Sequence, residues 1–407
     1  MYRHSFQPHP QTDRALGWLA AFALAMVALP TAADPIYSLT PLVTDDQDAL
    51  AEEGFAPAVT VDPNLINPWG VSRGPVGPFW VSNQGTDTST LYTGEGERFP
   101  PGAPLVVDIP QAGPPTGPTG QVFSGGSGLL LPSGDEGLFL FASLDGSITG
   151  WNFDSGTTAE VVVAPSSAGR PAIYTGLALA NMNGGNFLYA ANNLTGAVDV
   201  FDSDFAPATL GAGAFAAGDN PDGLAPFNVQ EIGGLIYVTY AIPGPEADEA
   251  PLGSGFVNVF TPDGSFVRRI DSDQFASPWG LALAPDEFGE FANALLIGNF
   301  NDEFGFINAF DAQTGDFLGT MLNVDGNPLI IPYLWALVFG NGDLSDEDDL
   351  YFAAGIGDEL HGLFGEIGAV AVSEPGTAGL LLLAMAGLFA MRPRRTWMPE
   401  HCRVGTG

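Results

Sequence analysis

Ser277-Pro278-Trp279-Gly280-Leu281 echoes Asn67-Pro68-Trp69-Gly70-Val71, and the reading of that pair decides the fold. Fainter copies are Thr175-Gly176-Leu177-Ala178-Leu179, Ala225-Pro226-Phe227-Asn228-Val229, Leu334-Trp335-Ala336-Leu337 and, weakest, Gln121-Val122-Phe123. With Trp69, Phe123, Gly176, Phe227, Trp279 and Trp335 in one column, the steps are 54, 53, 51, 52 and 56 residues. Such a period marks an array of supersecondary units. Inside a unit the chain reads as short apolar strands, for example Phe187-Leu188-Tyr189-Ala190 and then Ala197-Val198-Asp199-Val200-Phe201. Gly255–Phe260, followed by Thr261-Pro262-Asp263-Gly264, and Gly305–Phe310, followed by Asp311-Ala312-Gln313-Thr314-Gly315, repeat the last of these. Apolar alternation closed by Asp, Asn and Gly is the mark of antiparallel strands with tight turns. Four strands per unit, six times over, predict an all-β, six-bladed β-propeller across residues 62–372.

Ser373 begins a different kind of segment, so the last unit lacks room for an outer strand. Ile36–Val43, within an N-terminal stretch 34–61, is a strand-like segment with no blade of its own. It is expected to complete the last blade and remove an exposed sheet edge.

Composition agrees. Of 407 residues 45% are hydrophobic and 14% charged, with 54 Gly, 34 Pro and 29 Phe, which suits many short strands and tight turns. Lys+Arg total 11 against 47 acidic residues, a net charge of −36, and lysine is absent. Setting aside the terminal Arg3, Arg14, Arg392, Arg394, Arg395, Arg403, Asp13 and Glu400 leaves five Arg against 45 acids, net −40. Such a body repels nucleic acid and anionic headgroups. Cys402 is the only thiol, and of four His only His361 falls in the body. Intrachain disulfides, a Cys nucleophile, a Cys/His zinc site and a multi-histidine metal site are therefore excluded.

The two ends read as addresses. Residues 1–33 carry Arg3 and Arg14, the apolar run Ala15–Leu29 and then Thr31-Ala32-Ala33, the order of a cleavable secretory signal helix. At the other end Val372-Ser373-Glu374-Pro375-Gly376-Thr377 precedes apolar Ala378–Met391 and basic Arg392-Pro393-Arg394-Arg395. This resembles the PEP-CTERM sorting signal, in which a Pro-Glu-Pro-like motif precedes a single transmembrane helix and an exosortase processes the protein. The arginines would then stay on the cytoplasmic side. Ser373 stands where the family has its first proline, and a tail, 396–407, runs past the basic cluster. The resemblance assigns Ser373, Glu374, Pro375, Arg392, Arg394 and Arg395 to the motif within 373–395 and implies transient anchoring in the inner membrane.

The middle also resembles a bacterial family of exported, NHL-like six-bladed propellers that often carry such tails. The stretches are Asp62–Gly70, Phe79-Trp80-Val81-Ser82-Asn83, Ser277–Pro285 and Ala353-Ala354-Gly355-Ile356. Coverage runs from about Leu42 to Val372, and the resemblance brings no catalytic residue with it.

In a propeller the loop entering each first strand and the turn joining the second and third strands share one face, at one mouth of the channel. That face gathers Asn67, Asn83, Asp87, Asp145, Asn192, Asn193, Asn301, Asp302, Asp358, Glu359 and His361. Converging amide and carboxylate oxygens suit Ca²⁺, which takes about six to eight of them, and the candidate ligands are Asn83, Asn192, Asn301, Asp302, Asp358 and Glu359. The ordinary reading of each alone is a turn residue bonding its own backbone. Asp343–Asp349 lacks the regular spacing of a calcium loop and reads as a solvated turn; Phe123–Gly128 lacks the lysine of a phosphate cradle. Trp69, Trp279 and Trp335, at one repeat position, are expected to wedge between blades.

Two functions follow. One is a binding scaffold of the envelope or extracellular matrix, exported with signal peptidase and exosortase as processing partners and exopolysaccharide or envelope proteins as later ones. The other is a Ca²⁺-dependent hydrolase or lactonase acting on sugars or lactones at the channel mouth.

Overall fold

The computed structural model describes residues 36–165, 171–220 and 222–370. The signal segment, residues 373–395 with their sorting residues, and the tail lie outside them. Strand β1 (Tyr37–Thr44), the short helix α1 (Gln47–Glu52) and β2 (Thr60–Val61) come first. Asp46 caps α1, its carboxylate accepting from the Asp48 and Ala49 amides.

Blade 1 holds β3 (Pro68–Arg73), β4 (Phe79–Asn83), β5 (Thr88–Tyr92) and β6 (Val106–Asp108). Blade 2 holds β7 (Pro118–Phe123), β8 (Phe139–Ser143), β9 (Ile148–Trp151) and β10 (Glu160–Val163). Blade 3 stops at three strands, β11 (Tyr174–Met182), β12 (Gly185–Asn192) and β13 (Ala197–Phe201), where four were expected. Blade 4 holds β14 (Ala225–Ile232), β15 (Leu235–Ala241), β16 (Phe256–Phe260) and β17 (Phe266–Ile270). Blade 5 holds β18 (Pro278–Leu283), β19 (Ala294–Asn299), β20 (Ile307–Asp311) and β21 (Phe317–Thr320). Blade 6 takes β22 (Leu334–Phe339), β23 (Leu350–Ala354) and β24 (Leu363–Ala369) from the end of the chain and β1 and β2 from its start. Tyr37 pairs with Ala369 and Thr44 with Leu363, so β1 is antiparallel to β24 along its whole length.

The six innermost strands share a local defect. Each shifts register near its start: between Pro68 and Val71, Pro118 and Gln121, Tyr174 and Gly176, Pro226 and Asn228, Pro278 and Leu281, and Leu334 and Leu337. A bulge re-aims the side chain that follows it. The true column is therefore Trp69, Thr119, Thr175, Phe227, Trp279 and Trp335, which corrects the placement of Phe123 and Gly176. The next position is glycine in four blades because neighbouring backbones touch there. A methyl group on Gly70 would meet the Thr119 carbonyl oxygen, and one on Gly280 the Trp335 carbonyl oxygen.

The apolar core follows the six-fold plan. Six clusters lie between adjacent blades; Trp80, for example, stacks on Phe139 with centroids 4.3 Å apart between blades 1 and 2. The seventh, built on Trp69, Phe227, Trp279, Phe300, Tyr333 and Trp335, sits on the axis. The tryptophans thus meet one another in the channel, where a wedge between blades was expected. No helix among the described residues is long and apolar enough to cross a membrane.

Candidate functional site

The inner strands begin on what we call the top face. There the chain turns onto the strand through a left-handed residue in four blades: Asn67 (φ 45°), Gly117 (φ 110°), Ser277 (φ 54°) and Tyr333 (φ 54°). The bulge then throws the second residue onto the axis. Trp335, 1% exposed, lies between Trp69 and Phe300, with centroids 3.5 and 3.8 Å away and planes within 24° of parallel. Trp279 meets it edge-on at 5.6 Å and donates its indole N–H to the Thr175 carbonyl oxygen, on the side where no aromatic ring stands. The top of the channel is shut by stacked rings.

Polar groups anchor this plug. Trp335 Nε1 donates to Asn67 Oδ1 (3.2 Å), and Asn67 Nδ2 donates to Gln84 Oε1 (2.9 Å) and Glu359 Oε1 (3.0 Å). Burial pushes the Glu359 carboxyl up to about 7, against the Asn67 hydrogen bond and with some repulsion from Asp248. Tyr333 donates to Asp358 Oδ1 (2.8 Å), and its phenol is raised by burial and by that carboxylate. Asp248 is raised by burial and by Asp302 and Asp358. Asp248, Asp302, Asp358 and Glu359 thus gather around Tyr333 over the plug.

The candidate ligands fall into two groups. Asn301, Asp302, Asp358 and Glu359 belong to this gathering. Asn83 and Asn192 do not: each is bonded inside its own blade, Asn83 Nδ2 to the Thr88 and Thr90 hydroxyls and Asn192 Nδ2 to Asp199 Oδ2 and the Pro171 carbonyl oxygen. Asn301 donates to the Asp248 and Ala250 carbonyl oxygens and accepts from the Glu303 and Phe304 amides, so both ends of its amide are occupied. Of the wider set, Asp145 accepts from the Ser147 and Ala112 amides, and His361 Nδ1 lies 2.8 Å from Asp45 Oδ2, tying blade 6 to the opening segment. Among the described residues no group of three or more His, Cys, Asp or Glu side chains is placed to hold a metal ion. Asp343–Asp349 lies on the opposite face and lines an acidic cavity of about 700 Å³ with Glu95, Glu97 and Glu366.

Sequence reading missed three things. Asp248 sits in the second-to-third-strand turn of blade 4, the turn that carries Asp145 in blade 2 and Asn301 in blade 5, but it lies seven residues past its strand where they lie two, so the repeat pointed to the turn and not to the residue. Tyr333 stands two residues before Trp335, as Asn67 stands before Trp69. The third is the bottom of the channel, where the far halves of the inner strands enclose a cavity of about 520 Å³ whose polar lining includes Ser72, Arg73, Gln121, Asn228, Gln230 and Glu231. Arg73 Nε donates to the Phe339 carbonyl oxygen there, and burial lowers its pKa. Gln121 Nε2 bridges blades 1 and 2 by donating to the Gly70 and Trp80 carbonyl oxygens.

Fold and site together define a six-bladed β-propeller whose axial channel is plugged by aromatic rings at the top and open at the bottom. The chain belongs to the same family as two proteins of Acanthamoeba polyphaga mimivirus, Uncharacterized protein R648 (35% identical over 324 residues, 76% of each chain) and Uncharacterized protein L690 (32% identical over 324 residues, 76% of this chain and 82% of that one). No family model matches the chain. Among solved structures it is similar to a streptogramin B lyase (12% identity, TM-score 0.44, 75% of this chain and 95% of that one). Another is the PQQ-bound aldose sugar dehydrogenase of Streptomyces coelicolor (14% identity, TM-score 0.45, 82% of this chain and 100% of that one). Likeness at this level carries no chemistry across.

Proposed function

We propose that this chain is an exported protein of the cell envelope or extracellular matrix that works as a binding scaffold, with the open lower channel as a ligand seat. The observation that carries the binding reading is the contrast between the channel's two ends. The rings and internal hydrogen bonds at the top are spent on closure, while the bottom keeps a cavity of about 520 Å³ rimmed by Arg73, Gln230 and Glu231. Export rests on the order of residues in 1–33 and 373–395 and on the resemblance to exported propellers with exosortase-processed tails. Signal peptidase and exosortase are the partners during export, and exopolysaccharide or envelope protein is the partner afterwards. The hydrolase reading needs acidic oxygens that bind Ca²⁺. A titration in which millimolar Ca²⁺ raises the melting temperature would revive it, since a ligand held only by the native state stabilises it.

The test of export expresses the full chain, and a Glu374→Ala, Pro375→Ala variant, in a host with an exosortase. Fractionation should find the wild type shortened at both ends in the envelope or medium and the variant held at the inner membrane. Full-length wild-type protein in the cytoplasm would overturn the reading.

A further inference from the structure

Blade 3 ends at β13, whereas the other blades carry a further strand outside their third. After β13 the chain doubles back, and the Asp202 amide donates to the Ala206 carbonyl oxygen (2.9 Å) and the Ala208 amide to the Val200 carbonyl oxygen (2.8 Å). Pairing then stops. Past Ala208 the loop leaves the sheet, and a cavity of about 380 Å³ opens between Val198–Phe201 on one side and Pro207–Phe215 on the other. Strand groups alternate in direction, so the outward Val200 carbonyl and Asp202 amide place the Val198 amide and carbonyl and the Val200 amide on the same outer edge. Among the described residues no strand pairs with that edge. The walls are apolar, with Val198, Leu210 and Ala214 half-buried, and the edge ends at two acids, the half-buried Asp202 and the exposed Asp204.

We propose that this edge accepts a strand: an extended segment of a partner protein, uncharged in its middle and flanked by Arg or Lys, pairs with β13 and completes blade 3. Main-chain bonds to the Val198 amide and carbonyl and to the Val200 amide would supply affinity, and the apolar pocket the preference for small aliphatic side chains. The basic flanks answer the acids at the end of the edge. A second copy of this chain is a poor occupant, because its body carries a net −40 and no lysine. This deepens the scaffold reading by naming a class of partner, and its outcome is independent of the export experiment.

The test is fluorescence anisotropy with the purified full chain and a capped, dye-labelled Arg-Val-Thr-Val-Thr-Val-Arg peptide. Saturable binding is expected, and Val198→Pro, which deletes one outward amide at a sheet edge, should weaken it at least about tenfold with the melting temperature little changed. The same peptide N-methylated at alternate amides should not bind. Should the proline variant fail to fold, hydrogen exchange on the wild type decides, since the Val198 and Val200 amides must slow when peptide is added. No binding, binding indifferent to N-methylation, or exchange unchanged at those amides would overturn the proposal. A dimer of the free chain that Val198→Pro dissolves would also overturn it, by placing a second copy on this edge.

Discussion

Trp335 shows how much rests on one side chain. It is held on both faces by rings and at its N–H by Asn67, so truncation removes the stacking, opens a cavity and orphans a buried polar group together. Trp335→Ala is expected to cost about 3–5 kcal/mol in denaturant unfolding, and Trp335→Phe distinctly less. Glu359 and Glu366 give a pH signature. Burial pushes Glu359 up to about 7, and burial with repulsion from Asp349 and Asp346 pushes Glu366 to about 7, against an ordinary value of 4.5 for each. Between those values the folded chain holds protons that the unfolded chain has released, so stability is full at the acid end and is lost as pH rises toward 7. Melting temperatures measured from about pH 5 to about pH 8 should fall, and Glu359→Gln with Glu366→Gln should flatten the decline. A curve that rises through that window would contradict both assignments. Glu359 was legible as a top-face carboxylate because of its place in a turn; its buried bond to Asn67 was not, since the two lie almost three hundred residues apart.

Among elements, the innermost strand is the repeating part. Its bulge aims one residue at the axis and its glycine lets the next blade approach. Gly280→Ala, which sets a methyl against the Trp335 carbonyl, is expected to destabilise by about 1–3 kcal/mol. Gly113→Ala, with open space around it and an ordinary backbone, should be close to neutral. Equal effects would mean that strand spacing around the channel is not set by glycine. The repeat was readable where Trp-Gly or Phe-Asn marks it, and it slipped in blades 2 and 3, where threonine holds the axial place and leaves no aromatic signal. The missing outer strand of blade 3 was hidden for a related reason. Ala206–Gly218 has the small and turn-forming residues of any blade-to-blade connection, and only the register shows that it pairs for three residues and then departs.

At the level of the whole molecule the ring is sealed by a segment far from its partner in sequence. Tyr37, Leu42 and Val43 are at most 3% exposed, so β1 buries apolar side chains worth on the order of 5 kcal/mol. That is a large part of the roughly 5–15 kcal/mol that holds a typical domain together. Deleting residues 34–44 should lower the melting temperature sharply and let the bare edge of β24 associate, visible as higher mass in light scattering. An unchanged single melting transition would count against closure by this strand. The repeat announced a ring of sheets and the spare segment at Ile36 announced how it shuts. The two mouths of the channel differ through long-range packing that no local pattern records.

The pairing of β1 with β24 also orders events in time. Tyr37 is among the first residues of the wheel to be synthesised and Ala369 among the last, so the opening strand must wait without its β24 partner while the other five blades assemble behind it. Assembly is finished only by the final stretch of chain, and a polypeptide cut short anywhere before that point keeps an unsatisfied edge that marks it for proteolysis or capture by chaperones.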